Sequence, residues 1–322
     1  SPLYAPDVRP TRARHVMMVF IITLAIITYV DRVCMSQAAT DIRRDLSLNE
    51  QQMGWVFFAF GMAYALFEIP AGWMGDRSGP RGVLMKVVVM WSAFTAATGW
   101  AWNYASLLLF RTLFGVGEAG CFPNATKIFT IWLPSKERMR AQGLLWLSAR
   151  WGGAFTPMLV AAMMGIMSWR WTFTVFGLVG VVWAVAFYRW FRDKPGEHPS
   201  VNAAELALMD GAKSNAPSHA KIPWSKLVKS RTVWLLWLQY FCMSYGWYFY
   251  VTWLPTYLRE ARGVSLEKSA VLAGLPLFFG GIGSIVGGWV ARRLAERWLN
   301  VRRARRVTAA TGLFSATAML IL

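Results

Sequence analysis

Apolar residues run along this chain in long blocks separated by short polar turns. Measured against the ~20 residues a helix needs to cross a hydrocarbon core, the blocks predict nine spans, at 16–38, 52–74, 82–102, 105–128, 139–165, 169–191, 232–257, 269–292 and 307–322. The last block is shorter than a full span, so the reading expects an incomplete ninth helix. The polar stretches alternate in character. The arm holding Arg9, Arg12 and Arg14 is basic, as are the loops around Arg77, Arg81 and Lys86, around Lys136, Arg138 and Arg140, around Arg192, Lys194, Lys229 and Arg231, and from Arg292 to Arg306. The intervening turns, Asp41 to Glu50, Asn103-Tyr104, Ser168 to Trp171 and Arg259 to Lys268, are short or charge-balanced. Positive charge confined to alternate loops predicts a multi-pass protein with a cytoplasmic N-terminus.

The longest polar stretch separates the sixth span from the seventh. The expected organisation is therefore an N-terminal six-helix bundle at 1–192, a cytoplasmic linker at 193–231, and three helices of a second bundle at 232–322. Within the linker, Asn202-Ala-Ala-Glu205 has the spacing of a capping box and predicts a short helix. Six spans, a long linker and further spans form the layout of a two-bundle transporter.

Composition narrows the picture. Of 322 residues, 56% are hydrophobic and only 16% charged, which excludes an ordinary soluble domain. The net charge of +18 invites a nucleic-acid reading. That reading fails because the basic residues lie in alternate loops and the aromatics lie inside apolar blocks. Cys34, Cys121 and Cys242 all fall in apolar segments, and His15, His198 and His219 are scattered. No disulfide framework, metal site or cofactor is expected. No nucleophile, base and orienting group share one membrane depth, so no enzyme is expected. Gly115-Val-Gly117-Glu-Ala-Gly120 fits G-x-G-x-x-G, but no strand precedes it, and its small residues read as close helix packing. The glycines from Gly280 to Gly288 read the same way. Trp55, Trp102, Trp169, Trp171, Trp253 and Tyr257 read as interfacial belts. Tyr245, Trp247, Tyr248 and Tyr250 form a dense group that lines a cavity or faces lipid.

Ionisable residues inside spans are costly and mark function by default. Away from the ends of the blocks they are Asp31 and Arg32 in the first span, Glu68 in the second, Arg111 and Glu118 in the fourth, and Arg150 in the fifth. At ~1.5 Å per residue, Asp31 and Arg111 lie at similar depth, about 8 Å below the outer surface of the core, and Glu118 lies near the midplane. This predicts an Asp31–Arg111 ion pair and an unpaired Glu118 able to take and release a proton.

The loop Gly72-Trp-Met-Gly-Asp76-Arg77-Ser-Gly79-Pro-Arg81 resembles the loop between the second and third spans of the major facilitator superfamily. A second copy at Gly288-Trp289-Val290-Ala291-Arg292-Arg293 is degenerate, with Arg292 in the place of Asp76. Tyr29-Val-Asp31-Arg32, Tyr64 with Glu68-Ile-Pro70-Ala-Gly72, and Arg111-Thr-Leu-Phe-Gly115-Val-Gly117-Glu118 resemble the anion:cation symporter branch, which includes bacterial galactonate, glucarate and hexuronate transporters. The resemblance implies an all-α two-bundle fold truncated in its ninth span, with three more spans and a tail to follow. It also implies proton-coupled uptake of an organic anion by a monomer in a bacterial inner membrane. Asp31 and Glu118 would carry protons; Arg32, Tyr64, Arg111 and Arg150 would surround the anion. Gly72, Asp76, Arg77, Gly79 and Arg81 would form a gating loop. A uniporter or exporter of the same fold, or a membrane sensor, is the alternative. Arg150 stands where sugar-acid members carry Gln or another neutral polar residue, and Glu68 replaces a Gln. Either Arg150 clamps a second carboxylate through its fork geometry, or it pairs with Glu68 and restores neutrality.

Overall fold

The computed structural model describes residues 9–210, 224–297 and 300–321, and every regular element among them is helical. The middle of the expected linker, 211–223, lies outside the described residues together with His219. The helices are α1 Ala13–Asp45, α2 Glu50–Ser78, α3 Pro80–Thr98, α4 Tyr104–Glu118, α5 Cys121–Trp132, α6 Ser135–Met164, α7 Trp169–Trp190, α8 Ala203–Asp210, α9 Trp224–Val228, α10 Arg231–Tyr248, α11 Leu254–Thr256, α12 Leu266–Arg297 and α13 Val301–Ile321. Each apolar block falls on a helix. By length and composition, α1, α2, the α4–α5 pair, α7 and α12 suffice to cross a membrane. The spans α6 and α13 open on basic turns that dilute their apolar stretch.

Helix α1 lies against α6 and α7, α3 lies between α4 and α7, α2 packs on α4, and α12 packs on α6. Without a hydrophobic drive inside lipid, such contacts depend on close van der Waals fit, which small residues permit. Gly115 shows how close: a Cβ there would sit 2.5 Å from the Phe60 carbonyl oxygen of α2. Gly117 lets α4 approach the backbone of α3 at Trp91 in the same way. The glycines of α12 behave differently from the expectation. Gly274 and Gly281 touch α6, whereas a Cβ at Gly283, Gly287 or Gly288 would meet nothing within 4 Å.

Two spans are less regular than their apolar runs suggest. The fourth breaks after Glu118, and α5 begins at Cys121. Pro123 has no N–H to give the Ala119 carbonyl one turn back, and its ring crowds that carbonyl, so the helix bends there. The seventh widens into π turns at Phe249–Trp253 and Tyr257–Ala261, on either side of Pro255. Proline again removes a backbone donor, and the slack is taken up as wider turns.

The linker helix also departs from its sequence reading. Asn202 caps α8 as expected, its Oδ1 accepting the Glu205 N–H at 2.9 Å. Glu205 does not fold back to complete the box. Its carboxylate is fully buried and accepts the backbone N–H groups of Ala13 and Arg14 at 3.2 Å, the Thr11 hydroxyl and the Arg14 guanidinium. It therefore caps the start of α1, whose first turn holds no acidic side chain of its own. His198 packs beside it against Trp132 and Trp190, with ring centres 5.5 and 4.5 Å away. Burial pulls the His198 pKa below the ordinary histidine value. Its Nδ1 accepts the Ser200 N–H at 3.1 Å, which requires that nitrogen to be unprotonated.

Candidate functional site

The buried charges converge where α1, α2, α4 and α5 meet. Neighbouring residues on a helix point about 100° apart, so Asp31 and Arg32 face different surroundings. Arg32 turns toward the bend in the fourth span, and its Nε donates to Glu118 Oε1 at 2.6 Å. Glu118 is wholly buried, and Arg32 retains 18% side-chain exposure. Aromatic faces wall the guanidinium: Tyr64 at 4.5 Å, Phe60 at 5.4 Å, Tyr29 at 5.6 Å and Phe122 at 5.9 Å from ring centre to Cζ. Cation–π attraction of this kind strengthens with desolvation. Arg32 Nη2 and Glu118 Oε2 are buried and have no hydrogen-bond partner.

Asp31 and Arg111 lie deeper, 0% and 1% exposed. Arg111 sits 4.1 Å over Phe114 and 5.1 Å over Phe60. The two residues feel each other's charge. Even so, both Asp31 oxygens, and Nε and Nη1 of Arg111, lack a hydrogen-bond partner. The expected pairing is thus exchanged. Asp31 and Arg111 form no direct ion pair, and Glu118, expected to be unpaired, is bonded to Arg32. Straight-helix depth counting missed this because the fourth span bends immediately after Glu118, and because depth says nothing of azimuth.

Arg150 reaches from α6 toward α10 and α12. Its Nη1 donates to the Gly280 carbonyl at 3.1 Å, and its Cζ lies 5.2 Å from the Trp247 ring centre. The considered Arg150–Glu68 pair is not formed; Glu68 neighbours Arg32 and Tyr64 instead. Tyr29, two residues before Asp31 on α1, stands beside Arg32 and against α6. Its ring packs where a Gly153 Cβ would be 2.9 Å away, and both Arg32 and Arg150 act on its hydroxyl. Trp247 and Tyr248 of the seventh-span aromatic group reach the first bundle, Trp247 against its core and Tyr248 with its hydroxyl toward Gly61, while Tyr245 is 79% exposed. A four-aromatic cluster on one helix was the only sequence signal for them.

The loop residues gather at one end of the bundle. Asp76 receives Lys127 Nζ at 2.8 Å, bridging α2 to α5. Arg77 lies 5.4 Å over Trp73. Gly79 has φ +84°, and a Cβ there would come 2.8 Å from Asp193 Oδ2. The Arg81 N–H donates to Asp193 Oδ1 at 2.8 Å, and its guanidinium donates to the Tyr188 carbonyl at 3.1 and 2.6 Å. Arg81 thereby satisfies a carbonyl in the last turn of α7. Gly72 faces Pro123, where a Cβ would be 3.3 Å away. The degenerate copy keeps one device: Arg293 lies 5.2 Å over Trp289, as Arg77 does over Trp73. Not every expected belt residue lies at a surface. Trp169 is 6% exposed and its indole N–H donates to Asp45.

The chain resembles known proteins over nearly its whole length. It is 38% identical to the "Probable sulfoacetate transporter SauU" of Cupriavidus necator over 304 residues, covering 94% of this chain and 70% of that protein. It is 31% identical to the "Probable L-galactonate transporter" of Escherichia coli K12 over 319 residues, covering 98% of this chain and 70% of that protein. Among solved structures, the bacterial homolog to human lysosomal transporter Spinster in an inward-facing and occupied conformation superposes with TM-score 0.69 at 23% identity, over 89% of this chain and 62% of that one. The proton:xylose symporter XylE gives 0.66 at 13% identity, over 88% and 70%. These two establish the fold. With loop, buried charges and topology in agreement, the match of residues 21–322 to the Major Facilitator Superfamily model places this chain in that family of membrane transporters.

Proposed function

We propose that the protein moves a small organic anion across a bacterial inner membrane by proton-coupled symport, with its N-terminal arm in the cytoplasm. The chain then divides as the loops suggest, into a bundle at 1–192, a linker at 193–231 and helices of a second bundle from 232. One observation carries the coupling: the Arg32–Glu118 bond at 2.6 Å, with a free Arg32 donor beside it. A guanidinium bonded to an internal carboxylate is unavailable to an anion. Protonation of Glu118 removes that competitor and frees Arg32 for the cargo carboxylate. Loss of the proton restores the internal pair and expels the cargo. Proton and anion thus enter together, and neither is bound alone with full strength. Asp31 and Arg111, both short of partners, form a second proton-sensitive layer behind the first. Tyr64 and Tyr29 close the cage around Arg32. The Asp76–Lys127 bridge and the Arg81 contacts fasten the cytoplasmic ends of helices within the first bundle, so that it moves as a unit as the bundles rock. The relatives' names, sulfoacetate and galactonate transporters, support a carboxylate-bearing cargo.

The test is uptake in proteoliposomes under an imposed pH gradient, with galactonate and sulfoacetate as cargoes. Glu118→Gln keeps the side-chain shape and abolishes the titration. It should lose pH-driven accumulation while retaining exchange of anion for anion. Accumulation with unchanged pH dependence would overturn the proton role.

A further inference from the structure

Arg150 differs from Arg32 and Arg111 in having no acid to answer. Glu118 faces Arg32, and Asp31 shares its surroundings with Arg111. Among the described residues, the partners of Arg150 are a backbone carbonyl and an indole face, neither of which carries a charge. It is only partly buried, and its guanidinium lies between α6 and the helices packed against it, α10 and α12. The Tyr29 ring lies 5.6 Å from Arg32 and packs against α6 at Gly153, one helical turn beyond Arg150, so the two guanidiniums stand on either side of one aromatic side chain. Trp247 borders Arg150 and Tyr64 borders Arg32. Two guanidiniums set on either side of Tyr29, each against aromatic rings, have a complement of definite chemistry.

Resting on the anion-carrier reading above, we infer that the cargo is a small dianion, one anionic group held by Arg150 and the other by Arg32. Arg150 is then the residue that sets specificity. Its planar fork binds a carboxylate or sulfonate through two parallel N–H donors, which a lysine ammonium cannot reproduce. A monoanion held by Arg32 leaves Arg150 without a counter-charge in partly desolvated surroundings, and one held by Arg150 leaves Arg32 to Glu118 and forgoes the second contact. The charge balance follows directly. Arg150 has no carboxylate to displace, so it binds the first anionic group unaided. Arg32, whose bonded acid is Glu118 and whose other acidic neighbour is the partly buried Glu68, accepts the second once a proton occupies Glu118. The aromatic walls suit the short carbon stem between the two groups, and the Tyr29 hydroxyl stands ready for polar substituents along it.

The experiment compares matched acids on the whole protein, purified in detergent, by titration calorimetry or thermal shift. Galactarate and galactonate share a six-carbon stem and differ by one carboxylate; sulfoacetate and acetate form a second, smaller pair. Each dianion should bind at least ~10-fold more tightly than its partner, the size expected for one charged, hydrogen-bonded contact. Arg150→Gln should bring both ratios to within about twofold of unity, and Arg150→Lys should restore only part of the preference. Equal or tighter binding of the monoanions by the wild type would overturn the inference, as would an unchanged ratio in Arg150→Gln. If no acid of either pair binds the wild-type protein, the anion-carrier reading itself fails.

Discussion

At the scale of single residues, Arg32 and Glu118 share a bond that Asp31 and Arg111, also buried in the bundle, do not make with each other. Six ionisable side chains in apolar blocks are conspicuous because lipid makes them expensive. Which acid meets which base depends on helix azimuth and on the bend at Pro123, and neither follows from counting residues. The loop glycines were legible for a simpler reason, since backbone geometry is local. Gly79 adopts φ +84°, with Asp193 packed where a side chain would stand. Gly82, three residues on, has nothing within 4 Å of its Cβ position and no such backbone constraint. Gly79→Ala should therefore destabilise by about 1–3 kcal/mol through left-handed strain and loss of the Asp193 contact. Gly82→Ala, within α3, should be neutral or stabilise by up to ~1 kcal/mol. Thermal unfolding of the two variants in the same detergent checks the contrast. Equal melting temperatures would show that Gly79 is dispensable to the docking of the loop on α7.

At the scale of elements, hydropathy located the spans because the bilayer imposes their length, and it missed what lies outside the bilayer. Helix α1 continues to Asp45, beyond the predicted end at 38, because its last turns pack on the seventh span rather than on lipid. The capping box at Asn202 and Glu205 was half right. Asn202 caps its own helix, but Glu205 finds stronger donors across the chain at the start of α1, a contact separated by 191 residues and invisible to local pattern. Arg14 joins this site to α6 through Glu137 at 3.3 Å. One carboxylate thus ties the linker to α1 directly and to α6 through Arg14. Glu205→Ala removes the acceptor for two backbone donors and a guanidinium, and should cost about 2 kcal/mol. Hydrogen exchange should rise at the amides of Ala13 and Arg14 while the middle of α1 stays protected. Unchanged exchange at these two amides would mean that the linker helix does not hold α1.

At the scale of the whole molecule, the loop motif and the alternation of basic loops made the family legible, but not the state in which the two sets of helices meet. That state is visible at the end away from the Gly72–Arg81 loop. Arg259 donates to Asp41 at 2.7 Å, and Arg43 donates to Glu260 at 2.6 Å, with Thr40 adding a third contact to Glu260 at 3.0 Å. The two ion pairs run in opposite senses, acid to base and base to acid, between the end of α1 and the π-helical end of the seventh span. Such an arrangement fixes register as well as proximity, since a shift by one residue would set like charges opposite. Under alternating access these pairs must separate before cargo enters from that side. Partly exposed pairs contribute modestly, about 0.5–1 kcal/mol each. Removing both acids by Asp41→Asn with Glu260→Gln therefore shifts the balance toward the open form by about 1–2 kcal/mol, roughly five- to thirtyfold in population. Spin labels at the exposed positions Arg44 and Arg262 straddle this contact. In the double variant their distance distribution should gain a longer component that the parent lacks, and Glu118→Gln, which lies elsewhere in the bundle, should not produce it by the same route. A distribution identical to the parent's would mean that the two pairs follow closure rather than help to maintain it, and that the hold between the bundles lies instead in the apolar contact of α12 with α6.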